Sequence, residues 1–476
     1  MSTETRTAAP VAEVRTIDYI PENERHGKSR NLFTIWFGSN IMMLTIATGV
    51  LSTVVYGLPI WAAILAMAIG NVLGGIVMAL HAAQGPQMGI PQMLQTRAQF
   101  GVWGSLLVVV IVVVMYVAFF ASNAVLGGQA LDGLLHLGTF WSTVIIGLIS
   151  VVGVVFGYRL IHAFGTGMSI VAGLVLVACF VYVIVAHTVP AAAFSSGTLT
   201  AAGFMGTVSL AALWQIAYAP YVSDYTRYMP KDTGVRPAFW ATFAGCVLGS
   251  LITMAFGALL GAAFPKIENT STALQHLVPG ISWLALLAFG VGIAITNAMN
   301  LYCGSLAIIT IGQTLVPKWI PRAWTRSIIA VILFVIALLI GFAASADFLT
   351  NLTSLLLLLL IVLIPWTAVN LVDYYVVRHG NYDITSLFRP DGGIYGRINR
   401  NAVICYFVGI VVQLPFVNTP FFEGPVAKAL GGVDISWIVG LVIVCPLYYV
   451  LMRTSRRQLV PTHEMAAGDI TSVGAE

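Results

Sequence analysis

The chain has 476 residues, 59% of them hydrophobic and 8% charged, with a mean hydropathy of +0.92 and a formal net charge of +4. A soluble domain carries about 25% charged residues, so the composition points to a polytopic membrane protein and away from a soluble enzyme or a nucleic-acid partner. The five cysteines lie inside apolar runs without metal-ligand spacing and read as small buried hydrophobes.

Residues 1–30 carry charges from Glu4 to Arg30 and no apolar core, which fits a cytoplasmic N-terminal tail rather than a cleavable signal peptide. A crossing helix needs about 20 mostly apolar residues. Twelve stretches meet that requirement: 31–56, 59–81, 101–127, 139–157, 163–187, 201–222, 236–264, 281–313, 324–344, 348–371, 401–417 and 433–452. We call them spans 1 to 12, with a cytoplasmic C-terminal tail over 453–476. Basic residues mark cytoplasmic loops. With the N-terminus inside, all of the 22 Lys and Arg residues except Lys266 and Lys428 fall on inner segments, so both termini are expected to be cytoplasmic and the protein to lie in the plasma or inner membrane.

Span 1 contains Gly38, Ser39 and Asn40, a small and polar interruption. Between spans 2 and 3, residues 81–101 form a connection punctuated by Gly and Pro, expected to pack rather than to catalyse. Span 3 carries Phe119 and Asn123, four apart and so on one helix face. Span 6 meets Pro220 inside an aromatic cluster of Trp214, Tyr218 and Tyr221, then turns polar through Ser223, Asp224 and Arg227. Proline removes a backbone donor. In a bilayer the freed carbonyls must face protein or a water-filled cavity, so spans 1 and 6 are expected to be broken helices beside a cavity. Span 8 carries Thr296, Asn297 and Asn300.

The two halves repeat. Asn40 and Tyr218 stand 178 positions apart, and Asn123 and Asn300 stand 177 apart. Five helices per copy is an odd number, so the second copy is inverted. The expected fold is an all-α polytopic membrane protein of twelve transmembrane helices: a first repeat over 31–187, an inverted second repeat over 201–371, and two extra helices over 401–452.

The repeat should bring four points together near the midplane: Ser39 and Asn40, Phe119 and Asn123, Trp214 and Tyr218, and Thr296, Asn297 and Asn300. Read singly, each asparagine also serves as interhelical glue. Read together, rings that stack on the faces of a flat ligand and amides that both donate and accept at its edge suit a nucleobase or a related heterocycle. No Arg or Lys lies deep in a span, which argues against nucleotides. No phosphate loop or Ser/His/Asp set is present, so neither an ATP-driven pump nor an enzyme has its parts.

The run AYAPYVSDYTRYMP at 217–230 resembles the sixth-helix signature of purine-cytosine permeases in nucleobase:cation symporter family 1. TNAMNLYCGSLAI at 296–308, WFGSN at 36–40 and SNAVLGGQAL at 122–131 are similar to that family's eighth, first and third helices. The resemblance implies a leucine-transporter-like five-plus-five fold and secondary symport of a nucleobase, a purine and/or cytosine. The family also includes carriers of allantoin, hydantoin, uracil, thiamine and pyridoxine-like compounds. Carried over, it makes Asn123 and Asn300 polar substrate contacts and Phe119 a stacking ring. Tyr218 stands where the family commonly has Trp, with Trp214 one turn earlier.

No cofactor is implied beyond a coupling ion, H+ or Na+. Sodium-coupled relatives hold the ion with first-helix carbonyls and eighth-helix hydroxyls, and the comparable stretch here, Ala294, Ile295 and Thr296, has one hydroxyl. Proton coupling needs an ionisable group, and Asp224 is the candidate, either for that role or as an inner gate or salt bridge with Arg227. Gly38, Thr296 and Asp224 are therefore the residues assigned to ion coupling or gating. The implied partners are a small heterocyclic substrate and the lipid bilayer, and the sequence sets no oligomeric state.

Overall fold

The computed structural model describes residues 15–266, 269–345 and 348–454. The tail expectations for residues 1–14 and 455–476 lie outside the described residues. Every predicted span corresponds to a helix. Among the described residues, nine helices are long and apolar enough to cross a membrane, a tenth crossing is a bent pair, and the shorter apolar helices Thr139–Val155 and Arg400–Phe416 fall on spans 4 and 11. Outward faces carry large apolar side chains such as Leu174, Val185 and Val442, each at least 66% exposed. An apolar surface of this extent suits contact with lipid.

Span 1 is the bent pair. Its halves, Ser29–Ser39 and Met43–Val54, meet at 61°, because Met42 takes an extended conformation (φ −151°, ψ 166°) that no helix can carry. Span 6 differs from the expectation in degree. Its halves, Ala201–Ile216 and Ala219–Thr226, are separated only by Ala217 and Tyr218, and together they count as one crossing. Both linking residues keep right-handed helical dihedrals, and Pro220 falls in the first turn of the second piece, where its missing N–H has no intrahelical role. The helix therefore tightens there rather than turning a corner.

Packing repeats under exchange of each span with the one five later. Span 2 (Ile60–Leu80) lies on span 6, as span 7 (Val235–Ala263) lies on span 1. Span 4 (Thr139–Phe156) packs on span 8 (Ser282–Leu315), as span 9 (Ala323–Ala343) packs on span 3 (Ser105–Leu135). Span 5 (Tyr158–Ala186) meets the first half of span 1, as span 10 (Phe348–Val372) meets span 6. Spans 3 and 8 pair through the centre. Spans 11 (Arg400–Gln413) and 12 (Ser436–Thr454) pack on each other and on span 10, outside the repeat.

Small residues set the closest contacts. A side chain at Gly70 or Gly74 of span 2 would strike the carbonyls of Val208 and Ala212 in span 6. In the second repeat, Gly245 and Gly249 of span 7 abut the carbonyls of Phe33 and Phe37 in the first half of span 1, and Gly257 abuts Ile46 and Gly49 in its second half. Close backbone approach over small residues is how helices associate where lipid removes the hydrophobic driving force.

The connection 81–101 folds into the short helices Gln84–Met88 and Gln92–Phe100, both buried under span 6. Residues 15–28 are packed rather than free. Ile17 and Ile20 are fully buried, Ile20 N donates to Gly89 O at 2.9 Å, and Arg25 donates to Ile20 O and Pro86 O. This strap accepts from two buried arginines, Arg227 at Thr16 O (2.8 Å) and Arg326 at Arg15 O (3.1 Å).

Candidate functional site

Where the two broken spans cross spans 3 and 8, a cavity of about 280 Å³ of empty volume, mouth included, opens between them. Span 3 contributes Phe119 and Asn123, and span 6 contributes Trp214, Ala217, Tyr218 and Tyr221. Thr296 and Asn300 come from span 8, and Met42 and Leu44 from the break in span 1. None of these side chains is charged.

The aromatic residues form a wall of rings set edge to face. Phe119 meets Trp214 at 86° with centroids 6.3 Å apart, and Trp214 meets Tyr218 at 81° and 6.2 Å. Such arrangements are favoured by the ring quadrupoles. The indole nitrogen of Trp214 donates to Asn40 Oδ1 at 2.8 Å, which fixes its ring.

The amides differ in how much of their hydrogen-bonding capacity is spent. Asn40 is fully engaged: its nitrogen donates to Trp36 O at 2.7 Å, and its oxygen accepts from Trp214. It therefore caps the first half of span 1 and orients a ring of the cavity from behind. Asn300 accepts from the Tyr221 hydroxyl at 2.5 Å and donates to Asn297 Oδ1 at 3.2 Å, and Asn297 in turn donates to Phe120 O at 3.3 Å. Asn123 is different. It is 1% exposed and lines the cavity, yet among the described residues neither its nitrogen nor its oxygen has a partner. An unpaired buried polar group costs about 1–3 kcal/mol, so Asn123 stands ready to pair with whatever fills the cavity.

The structure thus brings Phe119, Asn123, Trp214, Tyr218, Thr296 and Asn300 to one cavity. Gly38, Ser39, Asn40 and Asn297 lie behind its wall. Gly38 lets span 1 touch span 5, since a side chain there would meet the backbone of Gly165 and Ser169. The Ser39 carbonyl, freed by the break, accepts from Thr296 Oγ1 at 3.1 Å, and the Ile41 carbonyl faces Gly292 of span 8. Asp224 sits further along span 6, away from the cavity lining. Its carboxylate accepts from Gln92 N at 2.8 Å and ties the 81–101 connection to the second piece of that span. Arg227 reaches Thr16 O, Tyr302 and Tyr228. Among the described residues no group of three or more His, Cys, Asp or Glu side chains gathers as a metal site would require.

Tyr221 and Met42 were not among the candidate residues. Tyr221 stood in the aromatic cluster of span 6, next to Pro220 in the expected break, and its distance from Asn300 needed the fold. Met42 had no chemical signal at all, because it enters the cavity through its backbone conformation.

The family described as permease for cytosine/purines, uracil, thiamine and allantoin matches residues 19–440. The chain is 37% identical over 446 residues to the putative purine-cytosine permease YxlA of Bacillus subtilis, covering 93% of this chain and 96% of that one. It is 25% identical to the hydantoin permease of Microbacterium maritypicum, with 89% of each chain covered. Among solved structures, it is similar to Mhp1, a nucleobase-cation-symport-1 family transporter in a closed conformation with bromovinylhydantoin bound. The TM-score is 0.74 at 22% identity, covering 93% of this chain and 96% of that one.

Proposed function

From the premise that this chain belongs to the permease family for cytosine/purines, uracil, thiamine and allantoin, we propose that it imports a nucleobase, a purine and/or cytosine, by cation symport with alternating access. Membership makes it a multi-pass membrane transporter and not an enzyme. The observation that carries the substrate reading is Asn123, whose donor and acceptor are both buried and, among the described residues, unpaired in the lining of a cavity that also holds the perpendicular rings of Phe119 and Trp214. A flat heterocycle inserted there stacks on Phe119, Trp214 or Tyr218 and pairs its edge with Asn123 and Asn300.

Coupling is assigned to the break in span 1. The Ser39 carbonyl and the Thr296 hydroxyl converge there, and oxygens of this kind hold a hard monovalent cation. Asp224, on the piece of span 6 that joins the 81–101 connection, is the group for proton coupling or for the inner gate. Both termini lie on the cytoplasmic side of the cell membrane, on the distribution of basic residues.

The test is uptake of labelled cytosine and hypoxanthine into cells expressing the protein. Asn123→Ala and Asn300→Ala should abolish uptake with membrane expression retained, and wild-type uptake by both would overturn the site. Loss of accumulation on removing sodium, or on adding a protonophore, identifies the ion. A second reading, transport of another flat heterocycle such as allantoin, hydantoin, thiamine or a pyridoxine-like compound, is favoured by the likeness to a hydantoin permease. Competition of the labelled bases by those compounds decides between the two.

A further inference from the structure

Span 8 carries two amides three residues apart, and the atoms around them fix which way each points. Asn297 Nδ2 lies 3.3 Å from Phe120 O. A backbone carbonyl only accepts. That contact turns the nitrogen of Asn297 toward span 3 and its oxygen toward Asn300, and it resolves by chemistry an end-for-end choice that is ambiguous for an isolated amide. Asn300 must then offer its nitrogen to Asn297 Oδ1, at 3.2 Å, and its oxygen to Tyr221, at 2.5 Å. The Tyr221 hydroxyl has to donate. The chain from Tyr221 through Asn300 and Asn297 to Phe120 therefore runs in one direction, anchored on a single carbonyl.

This direction decides what the cavity offers. Tyr221 and Asn300 both line it. The only proton of Tyr221 is committed to Asn300, so its oxygen meets a ligand as an acceptor. Asn300 spends one amide proton on Asn297 and retains the other as a donor. Resting on the nucleobase-transport reading above, we infer that Asn297 is a positioning residue that sets the hydrogen-bonding polarity of the cavity, which then selects heterocycles carrying an acceptor beside a donor on one edge. Lactams and aminopyrimidine or aminopurine edges have that arrangement. A site built to pair a particular N–H rejects analogues lacking it much more strongly than a site built on shape.

The experiment compares matched compounds on the purified full-length protein, by displacement of a labelled base: 9-methyladenine against 9-methylpurine, and 1-methylcytosine against 1-methyl-2-pyrimidinone, in which methylation removes the ring N–H that would otherwise supply a donor beside an acceptor on another edge. The second member of each pair lacks the exocyclic amine. The readout is the ratio of the two dissociation constants, which a general loss of structure leaves unchanged. Wild type should prefer the amine-bearing member by about tenfold or more, the loss expected when a buried group is left unpaired. Asn297→Ala frees Asn300 to turn over and lets Tyr221 point its proton into the cavity, so the ratio should fall close to one. Asn297→Asp, whose protonated carboxyl offers the same donor and acceptor, should restore it. Tyr221→Phe removes the far end of the chain while keeping the ring, and should also collapse the ratio.

Equal weakening of both members by Asn297→Ala and Tyr221→Phe, with the ratio intact, overturns the inference. A wild-type ratio near one overturns it too and leaves the transport reading standing. No displacement by any base overturns both.

Discussion

Replacing Asn123 with Leu separates a binding residue from a structural one by the sign of its effect on stability. Both polar atoms of Asn123 are buried and unpaired, and each such atom costs about 1–3 kcal/mol. Water entering the cavity recovers part of that cost, so removing the pair with a side chain of similar volume should stabilise the ligand-free protein by about 1–3 kcal/mol. Binding should move the other way. Two hydrogen bonds worth about 0.5–1.5 kcal/mol each are lost, a weakening of roughly 5- to 150-fold in Kd. Thermal unfolding in detergent should show Asn123→Leu melting above wild type, and displacement of a labelled base should show its affinity reduced. Asn300→Leu provides the contrast: its amide is already paired with Tyr221 and Asn297, so that variant should melt lower. A less stable Asn123→Leu with unchanged affinity would refute the reasoning, since the amide would then be held by the protein itself.

Arg378→Ala should lower stability by about 3–5 kcal/mol, the cost of leaving one partner of a buried ion pair alone, because Asp373 is fully buried and accepts Arg378 Nε at 3.1 Å. Arg378→Lys should not restore the melting temperature, since the guanidinium also lies 4.9 Å over the Tyr395 ring. Gly249→Val should abolish correctly folded protein on size-exclusion chromatography, as a side chain there meets the Phe37 carbonyl. Asp434, just ahead of span 12, has its carboxyl pushed above the usual range by burial, against the backbone donors Asn418 and Ser436. A raised pKa means that the folded state holds the proton more tightly. The protein should therefore lose stability as pH rises from the ordinary carboxylate range through the raised value, and Asp434→Asn should flatten that limb of a melting-temperature profile.

Much of this architecture was legible because lipid imposes simple rules. Each of the twelve apolar stretches falls on a helix or on a pair of helices, and polar points at Asn123 and Asn300, placed in register by the repeat, meet in one cavity. The depth of each interruption was not legible. Pro220 suggested a sharp break, yet the sharp bend belongs to span 1, where Met42 carries no sequence signal. Gly70 and Gly74 answer Gly245 and Gly249 across the repeat, a pairing hidden among the 46 glycines of the chain. The division of labour among the asparagines was also out of reach, because Asn40 and Asn123 differ in their partners and not in their chemistry. Residues 15–28 read as part of a hydrophilic tail because their charges outnumber their apolar side chains, while buried Ile17 and Ile20 and the hydrogen bonds to Gly89, Pro86, Arg227 and Arg326 hold them against the spans.

Span 7 bears on both sides of the bend in span 1, touching one half through Gly245 and Gly249 and the other through Gly257. One unbroken helix thus acts as a splint across a fracture. The two halves cannot fold about Met42 like a door on a free hinge, since any change in their angle must peel carbonyls away from a straight neighbour. Movement that keeps those seams closed has to carry spans 1 and 7 as one piece, and the elements packed around them must slide to let it pass.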